Sequence, residues 1–171
     1  MNNTHYDILI IGGGASGMMA ASAVPKNKKV LVIEKNNILG KKLLITGGGR
    51  CNLTNDERDL RKLLKNYKKA EQFLYSAFTQ YGVEDSLKFF NTRSMPTKVE
   101  NEGRVFPVSD SARSVYNVLV KEIGNNKNVE ILSNATVRNI VSNKNKVTEV
   151  EVEVNKKKAV YTADKYILAT G

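Results

Sequence analysis

The sequence predicts an α/β fold: a parallel sheet of the Rossmann-like type joined by a three-stranded antiparallel meander. Three observations predict it. A short apolar run, Asp7-Ile8-Leu9-Ile10-Ile11, leads into Gly12-Gly13-Gly14-Ala15-Ser16-Gly17 and a helix-forming stretch. A second apolar run, Val30-Leu31-Val32-Ile33, ends on an acid, Glu34, twenty residues after Gly14. Near the C-terminal end, three short runs alternate apolar and polar residues between Lys/Asn-rich turns.

The first run is nearly unbroken and rich in β-branched residues, which suits a strand covered on both faces, as parallel strands are. The following segment fits G-x-G-x-x-G. Gly12 allows the tight turn out of the strand. Gly14, having no Cβ, lets the backbone lie against a pyrophosphate. Gly17 lets the next helix pack closely on the strand. Met18 to Val24 should be helical, and Pro25 ends it. The N–H groups of the first helical turn and the helix dipole favour a diphosphate there. Glu34 stands where a carboxylate accepts hydrogen bonds from a ribose diol, and its charge argues against a 2′-phosphate. A glycine turn alone is weak evidence, but strand, turn, helix, strand and acid in this order predict dinucleotide binding.

Composition narrows the class. The chain has 171 residues, 41% of them hydrophobic, enough for one core-forming domain over 1–171. No run of eighteen apolar residues occurs, so no membrane partner is expected, and the N-terminus lacks a signal-peptide layout. Cys51 is the only cysteine, which excludes an internal disulfide and points to a reducing cytoplasm. No Cys/His cluster offers a metal site, and the one histidine, His5, is expected to be exposed and idle in an N-terminal tail. The net charge is +10, with much of the excess between Lys35 and Lys69. A solvated lysine-rich face, a surface attracting RNA or membranes, and a complement to a phosphate-bearing ligand all fit such charge. Aromatics are not interleaved with it and no RNA-binding signature occurs, so no nucleic-acid partner is expected.

After Glu34 comes a loop, then Lys41 to Ile45 with room for one helical turn. Thr46-Gly47-Gly48-Gly49-Arg50-Cys51-Asn52 follows. Three consecutive glycines are costly to order. They read as a flexible linker, or as backbone lying against a flat ligand with Arg50 and Asn52 supplying hydrogen bonds. Cys51 reads as a soft nucleophile or as a small packed residue.

The stretch E-K-x-x-x-x-G-K-K-L-L-x-T-G-G-G-R-C-N-L-T-N, from Glu34 to Asn55, resembles the signature of a bacterial family of FAD-dependent oxidoreductases. This is the aminoacetone-oxidase-like family, also called NAD(FAD)-utilizing dehydrogenases, which includes a 3-dehydro-bile-acid Δ4,6-reductase. Gly103 to Leu119, GRVFPVSDSARSVYNVL, resembles it too. The resemblance implies FAD held by Gly12, Gly14, Ala15, Ser16, Gly17, Glu34, Lys35 and Lys42. It places Gly49, Arg50, Cys51 and Asn52 by the flavin and the backbone of Val137 near the adenine. It implies that Ala169, Thr170 and Gly171 close over the cofactor. The domain would then be of the two-dinucleotide-fold type, with a small-molecule substrate and, as one donor, NAD(P)H. Family members continue beyond an A-T-G segment like this one, so the resemblance implies an N-terminal portion of a longer protein. No catalytic residue is assigned. A NAD-binding dehydrogenase domain and a non-catalytic nucleotide-binding fragment are the alternatives.

The remaining elements follow in order. Glu57 to Lys69 reads as a polar, exposed helix. Ala70 to Tyr81 is amphipathic, with Phe73, Leu74, Ala77, Phe78 and Tyr81 expected on the core side. Val83 to Asn91 is a short helix with Leu87 and Phe90 inward. Thr97 to Phe106 reads as a hairpin turning at Gly103. Ser109-Asp110-Ser111 offers caps for a helix from Ala112 to Ile123 with Val115, Val118, Leu119 and Ile123 as its stripe. Val129 to Leu132 is a third parallel strand. Ala135 to Val141, Val147 to Val154 and Ala159 to Thr162 form the meander, and Tyr166 to Gly171 a last buried strand with its turn.

Overall fold

The computed structural model describes residues 4–171. In chain order its elements are β1 (Thr4–Ile11), α1 (Ala15–Ala23), β2 (Val30–Ile33), β3 (Thr54–Asn55), α2 (Leu60–Lys65), α3 (Glu71–Gln80), α4 (Val83–Asn91), β4 (Thr97–Val99), β5 (Arg104–Pro107), α5 (Ala112–Gly124), β6 (Val129–Leu132), β7 (Ala135–Asn143), β8 (Lys146–Val154) and β9 (Lys157–Leu168). They fall into two compact units. One comprises the chain up to Leu43 together with Leu119–Gly171, the other Leu44–Val118.

The first unit is built on a six-stranded sheet in the order β6-β2-β1-β9-β8-β7. β1, β2 and β6 are parallel, as the apolar runs predict, and β8 runs antiparallel to both β7 and β9. β9 joins the two halves. Its first residues pair antiparallel with β8, from Lys157 opposite Val154 to Tyr161 opposite Val150. Its later residues pair parallel with β1, from Tyr161 beside Thr4 to Leu168 beside Ile11. The sequence reading separates Ala159–Thr162 from Tyr166–Gly171 because the polar Asp164 and Lys165 interrupt the apolar pattern. The structure carries one strand through them, because the backbone ladder to β1 does not depend on side-chain polarity.

The core of this unit follows from the pleat. Tyr6, Leu9, Ile11, Leu31, Ile33, Ala135, Val150, Val152 and Ala163 form one buried cluster, so the meander covers the parallel strands. α1 packs on β1 and β2, with Met18 and Ala21 buried. His5 lies in β1 and not in a tail. Its ring reaches Thr162 Oγ1 at 3.0 Å and Asp164 Oδ1 at 3.3 Å, and it remains exposed.

In the second unit β3, β5 and β4 form a small antiparallel sheet. The expected hairpin is present, and β3 adds a two-residue strand that the sequence pattern does not signal. The polar helix expected over 57–69 is shorter, because the Asp59 carboxylate caps α2 by accepting from the Arg61 and Lys62 N–H groups. It is also not wholly exposed: Leu63 and Leu64 are buried, and Leu63 joins Val83, Leu87 and Val105 in a cluster. α3 differs most from expectation. It buries no residue, and Phe73, expected inward, is 85% exposed. Phe78 alone of its stripe packs against that cluster, half-buried. α4 buries Leu87 and Phe90 as its spacing predicts, and Val83 with them. α5 buries Ala112, Val115, Leu119 and Ile123, and Arg113 N–H reaches the Ser111 hydroxyl at 3.3 Å.

Candidate functional site

The glycine corner at the end of β1 is the centre of the first unit. Each glycine there answers to a measurable constraint. Gly12 has φ +102°, and a Cβ on it would sit 2.4 Å from the Ala169 carbonyl oxygen. A Cβ on Gly17 would stand 1.9 Å from the Gly12 carbonyl oxygen, so helix α1 meets the strand turn at a distance only glycine allows. Gly13 is hemmed in by Leu39, whose Cδ2 would lie 2.3 Å from an added Cβ. Gly14 is different: a Cβ there would meet nothing within 4 Å. It begins α1 at φ −73°, and no side chain caps the helix start. Open space at Gly14 beside an uncapped helix start, where first-turn N–H groups lack intrahelical partners, fits a diphosphate.

Glu34 closes the corner from β2. It is 6% exposed. Its Oε2 accepts from the Gly13 N–H at 2.7 Å, while Oε1 accepts from the Asn36 N–H at 2.8 Å and the Asn36 side-chain amide at 2.5 Å. A carboxylate has about four acceptor positions. Three are taken, so the acid ties the glycine turn to the second strand. Asn36 and Gly13 were not singled out as site residues from sequence. The signal for Asn36 was an amide two residues past the acid, a spacing that lets a side chain and its own N–H share one carboxylate.

Neighbouring segments converge on this corner. The Gly40 N–H donates to the Gly13 carbonyl at 2.7 Å, drawing in the loop that carries Lys35 and Lys42, both exposed. Asn134 N–H donates to Asn36 O and Ala135 N–H to Glu34 O, each at 3.0 Å, so β7 starts at the acid. Val137, half-buried, lies two residues on, beside a register irregularity in β7. Ala169 N–H donates to Ile11 O at 2.8 Å and brings the Ala169-Thr170-Gly171 segment over Gly12. Ala15 and Ser16 are exposed on the first turn of α1.

Gly49, Arg50, Cys51 and Asn52 belong to the second unit. The loop is folded, not a slack linker. Gly47, Gly48, Gly49 and Cys51 all have positive φ, between 54° and 85°, and the Cys51 N–H donates to Thr46 O at 3.1 Å. Cys51 is buried, and burial pushes its thiol up, only partly offset by Thr46. That environment disfavours the thiolate and supports the packed-residue reading. Arg50 does not reach outward. Its Nε and Nη2 donate to Asp110 Oδ1 at 2.9 and 2.6 Å, Nη2 also donates to Glu100, and the guanidinium lies 4.1 Å over the Phe106 ring. Asn52 is exposed.

The HI0933-like protein Rossmann domain matches residues 6–171. The chain belongs to that family and carries its FAD-binding Rossmann domain. A 3-dehydro-bile acid Δ(4,6)-reductase of Clostridium scindens is 33% identical over 129 residues, which cover 75% of this chain and 29% of the relative. The fold recurs in a flavocytochrome c3 fumarate reductase (TM-score 0.76, 17% identity, 99% of this chain and 34% of that one). It recurs in the 3-ketosteroid-Δ4-(5α)-dehydrogenase of Rhodococcus jostii (TM-score 0.72, 15% identity, 98% and 46%). The HI0933-like chain thus spans under a third of the curated relative's length. Among the described residues no helix is long and apolar enough to cross a membrane, and no group of three or more His, Cys, Asp or Glu side chains could hold a metal ion.

Proposed function

We propose that this chain supplies the part of an FAD-dependent oxidoreductase that grips the adenosine diphosphate half of the cofactor. The observation that carries the reading is the corner itself. Gly14 leaves open space at an uncapped helix start, and the Glu34 carboxylate sits 2.7 Å from the Gly13 N–H beside it. In this reading the N–H groups of Ala15, Ser16 and Gly17 face the diphosphate. Glu34 takes a ribose hydroxyl on its remaining acceptor position, with Lys35 and Lys42 supplying positive charge nearby. Val137 flanks the adenine, and Ala169, Thr170 and Gly171 close over the cofactor. The loop of Gly49, Arg50, Cys51 and Asn52 lies by the flavin.

Bound FAD supplies the redox chemistry, accepting an electron pair from one substrate and passing it to another. The protein's own residues bind and orient it. The Clostridium relative's name as a reductase supports reduced nicotinamide as the donor, and an amine donor with oxygen as acceptor is the other reading. The buried, isolated Cys51 supports a cytoplasmic setting, and the Clostridium relative a bacterial one. The test is the visible spectrum of the purified chain with and without added FAD, and then with NAD in competition. Bands that follow the protein through gel filtration support the proposal. Retention of NAD in place of FAD would convert it to a nicotinamide-binding domain. FAD retained without NADH oxidation would leave a binding fragment.

A further inference from the structure

Arg50 is the one cation of the Gly47–Asn52 loop, and it is already spoken for. Asp110 and Glu100 both accept from its guanidinium, and Lys98 Nζ bridges the same two carboxylates at 2.5 Å to Asp110 Oδ2 and 3.3 Å to Glu100 Oε1. Phe106, 4% exposed, forms the floor under the guanidinium. The same ring lies 3.5 Å from where a Cβ on Gly47 would be. One buried ring and two carboxylates thus grip Arg50, and the ring also lies close to Gly47. The turn needs holding. Within it Cys51, at φ +59°, occupies a region that side-chain-bearing residues rarely adopt, and such a conformation persists only where surroundings over-determine it.

We infer that Asp110 and Glu100 are positioning residues, which lock Arg50 onto Phe106 and so fix the Gly47–Asn52 backbone while withdrawing the arginine charge from the ligand. The role assigned to this lock rests on the proposal that the loop lies by the flavin. It replaces a direct arginine–cofactor contact with an indirect one. Two positive and two negative charges close on one another, so the network is neutral and the loop brings shape to the cofactor, not charge. Arg is suited to the task because its planar fork meets two carboxylates and stacks on a ring at once, which a lysine at position 50 could not reproduce.

The sign of one substitution separates the two views. Asp110→Asn removes a negative charge. If Arg50 acted on the anionic cofactor directly, freeing it would tighten FAD binding. If Asp110 acts by holding the loop, the same change weakens it. The experiment uses the full chain as wild type, D110N, D110E, R50Q and the R50Q/D110N double variant. Hydrogen–deuterium exchange is followed over residues 44–53 without cofactor. FAD affinity is read by flavin fluorescence, and the position of the bound flavin's visible bands is recorded.

The expected result is about tenfold faster exchange confined to that segment in D110N and R50Q. The double variant should be no faster than the worse single one, because both break one unit. FAD should bind roughly three- to tenfold more weakly in D110N, with shifted bands, and D110E should recover part of both. Unchanged exchange in D110N, or FAD binding that is equal or tighter, overturns the inference. Should D110N fail to fold, D110E against R50Q decides by the same two readouts. A wild type that binds no FAD would sink the cofactor proposal instead, and the exchange measurements would still decide whether the lock exists.

Discussion

Replacing Gly14 and Gly17 by alanine, one at a time, separates folding from binding at the same corner. At Gly17 the new methyl would stand 1.9 Å from the Gly12 carbonyl oxygen. An ordinary carbon–oxygen contact is roughly 3.4 Å, so the start of α1 or the end of β1 must move by about 1.5 Å. The atom in the way is backbone, which cannot rotate aside. Such overpacking costs on the order of 1–3 kcal/mol, which for a chain of this size lowers Tm by roughly 2–12 °C. At Gly14 the methyl meets nothing within 4 Å and the backbone is already at φ −73°. Alanine is a poorer helix N-cap than glycine, but it also restricts the unfolded chain. Those two effects are each about 0.5–1 kcal/mol and opposite in sign. G14A should therefore melt within about 2 °C of wild type yet bind FAD at least about tenfold more weakly, roughly 1.4 kcal/mol, because its methyl enters the diphosphate's space. Thermal melts followed by circular dichroism, with flavin-fluorescence titrations, give both numbers. A G17A protein as stable as wild type would refute the packing argument. A stable G14A with undiminished FAD affinity would refute the placement of the diphosphate.

The remaining predictions test other contacts. Glu34→Gln puts an amide where three N–H donors converge; it should cost about 1–3 kcal/mol by urea denaturation and weaken FAD binding, and unchanged stability would show that those hydrogen bonds do not matter. Asp59 is held below the usual carboxylate range first by the Lys62 N–H and also by the Arg61 N–H. Asp110 is held down by Lys98 and Arg50, and Glu100 by Arg50 and Lys98. Folded values below unfolded ones mean stability that is fully present above about pH 4 and lost as pH falls through the depressed values. Stability against pH should therefore fall on the acid side and fall less in D59N, and a flat acid limb would contradict the assignment. Cys51 should react with iodoacetamide at pH 7.5 far more slowly than in urea, since burial raises its thiol, and C51A should retain FAD binding; fast labelling of the native protein would point to a reactive thiol. Phe73→Ser should move Tm by less than about 2 °C, because the ring is already in solvent.

The parts legible in the sequence are those whose cause is local. The turn at Gly12, the helix after Gly14 and the acid at Glu34 lie within one βαβ unit, where spacing alone brings them together, and the structure joins them within hydrogen-bond reach. α4 was legible because Val83, Leu87 and Phe90 recur on one face and a partner surface exists. α3 carries an equally apolar stripe, but periodicity says only which residues share a face, never whether that face has something to cover it. Leu63 and Leu64 show the converse: two apolar residues in a lysine-rich segment are buried by their tertiary neighbours, not by their own pattern.

The same boundary between local and distant causes runs through the site. Three acceptors, Asp110, Glu100 and the ring of Phe106, decide what Arg50 does, and they lie 60, 50 and 56 residues away from it. No spacing rule connects them. An arginine after three glycines, met in sequence alone, reads as a hand held out to an anion. In the folded chain the hand is clasped, and the glycines beside it bend into a turn that Phe106 floors. The anion binding proposed for the corner in the first unit would have a different source, the N–H groups at an uncapped helix start, and would need no cationic side chain. Removing charge from Arg50 and removing space at Gly14 are therefore independent perturbations of one proposed ligand, and their effects on FAD affinity should add within about 0.5 kcal/mol. Strong non-additivity would refute that independence.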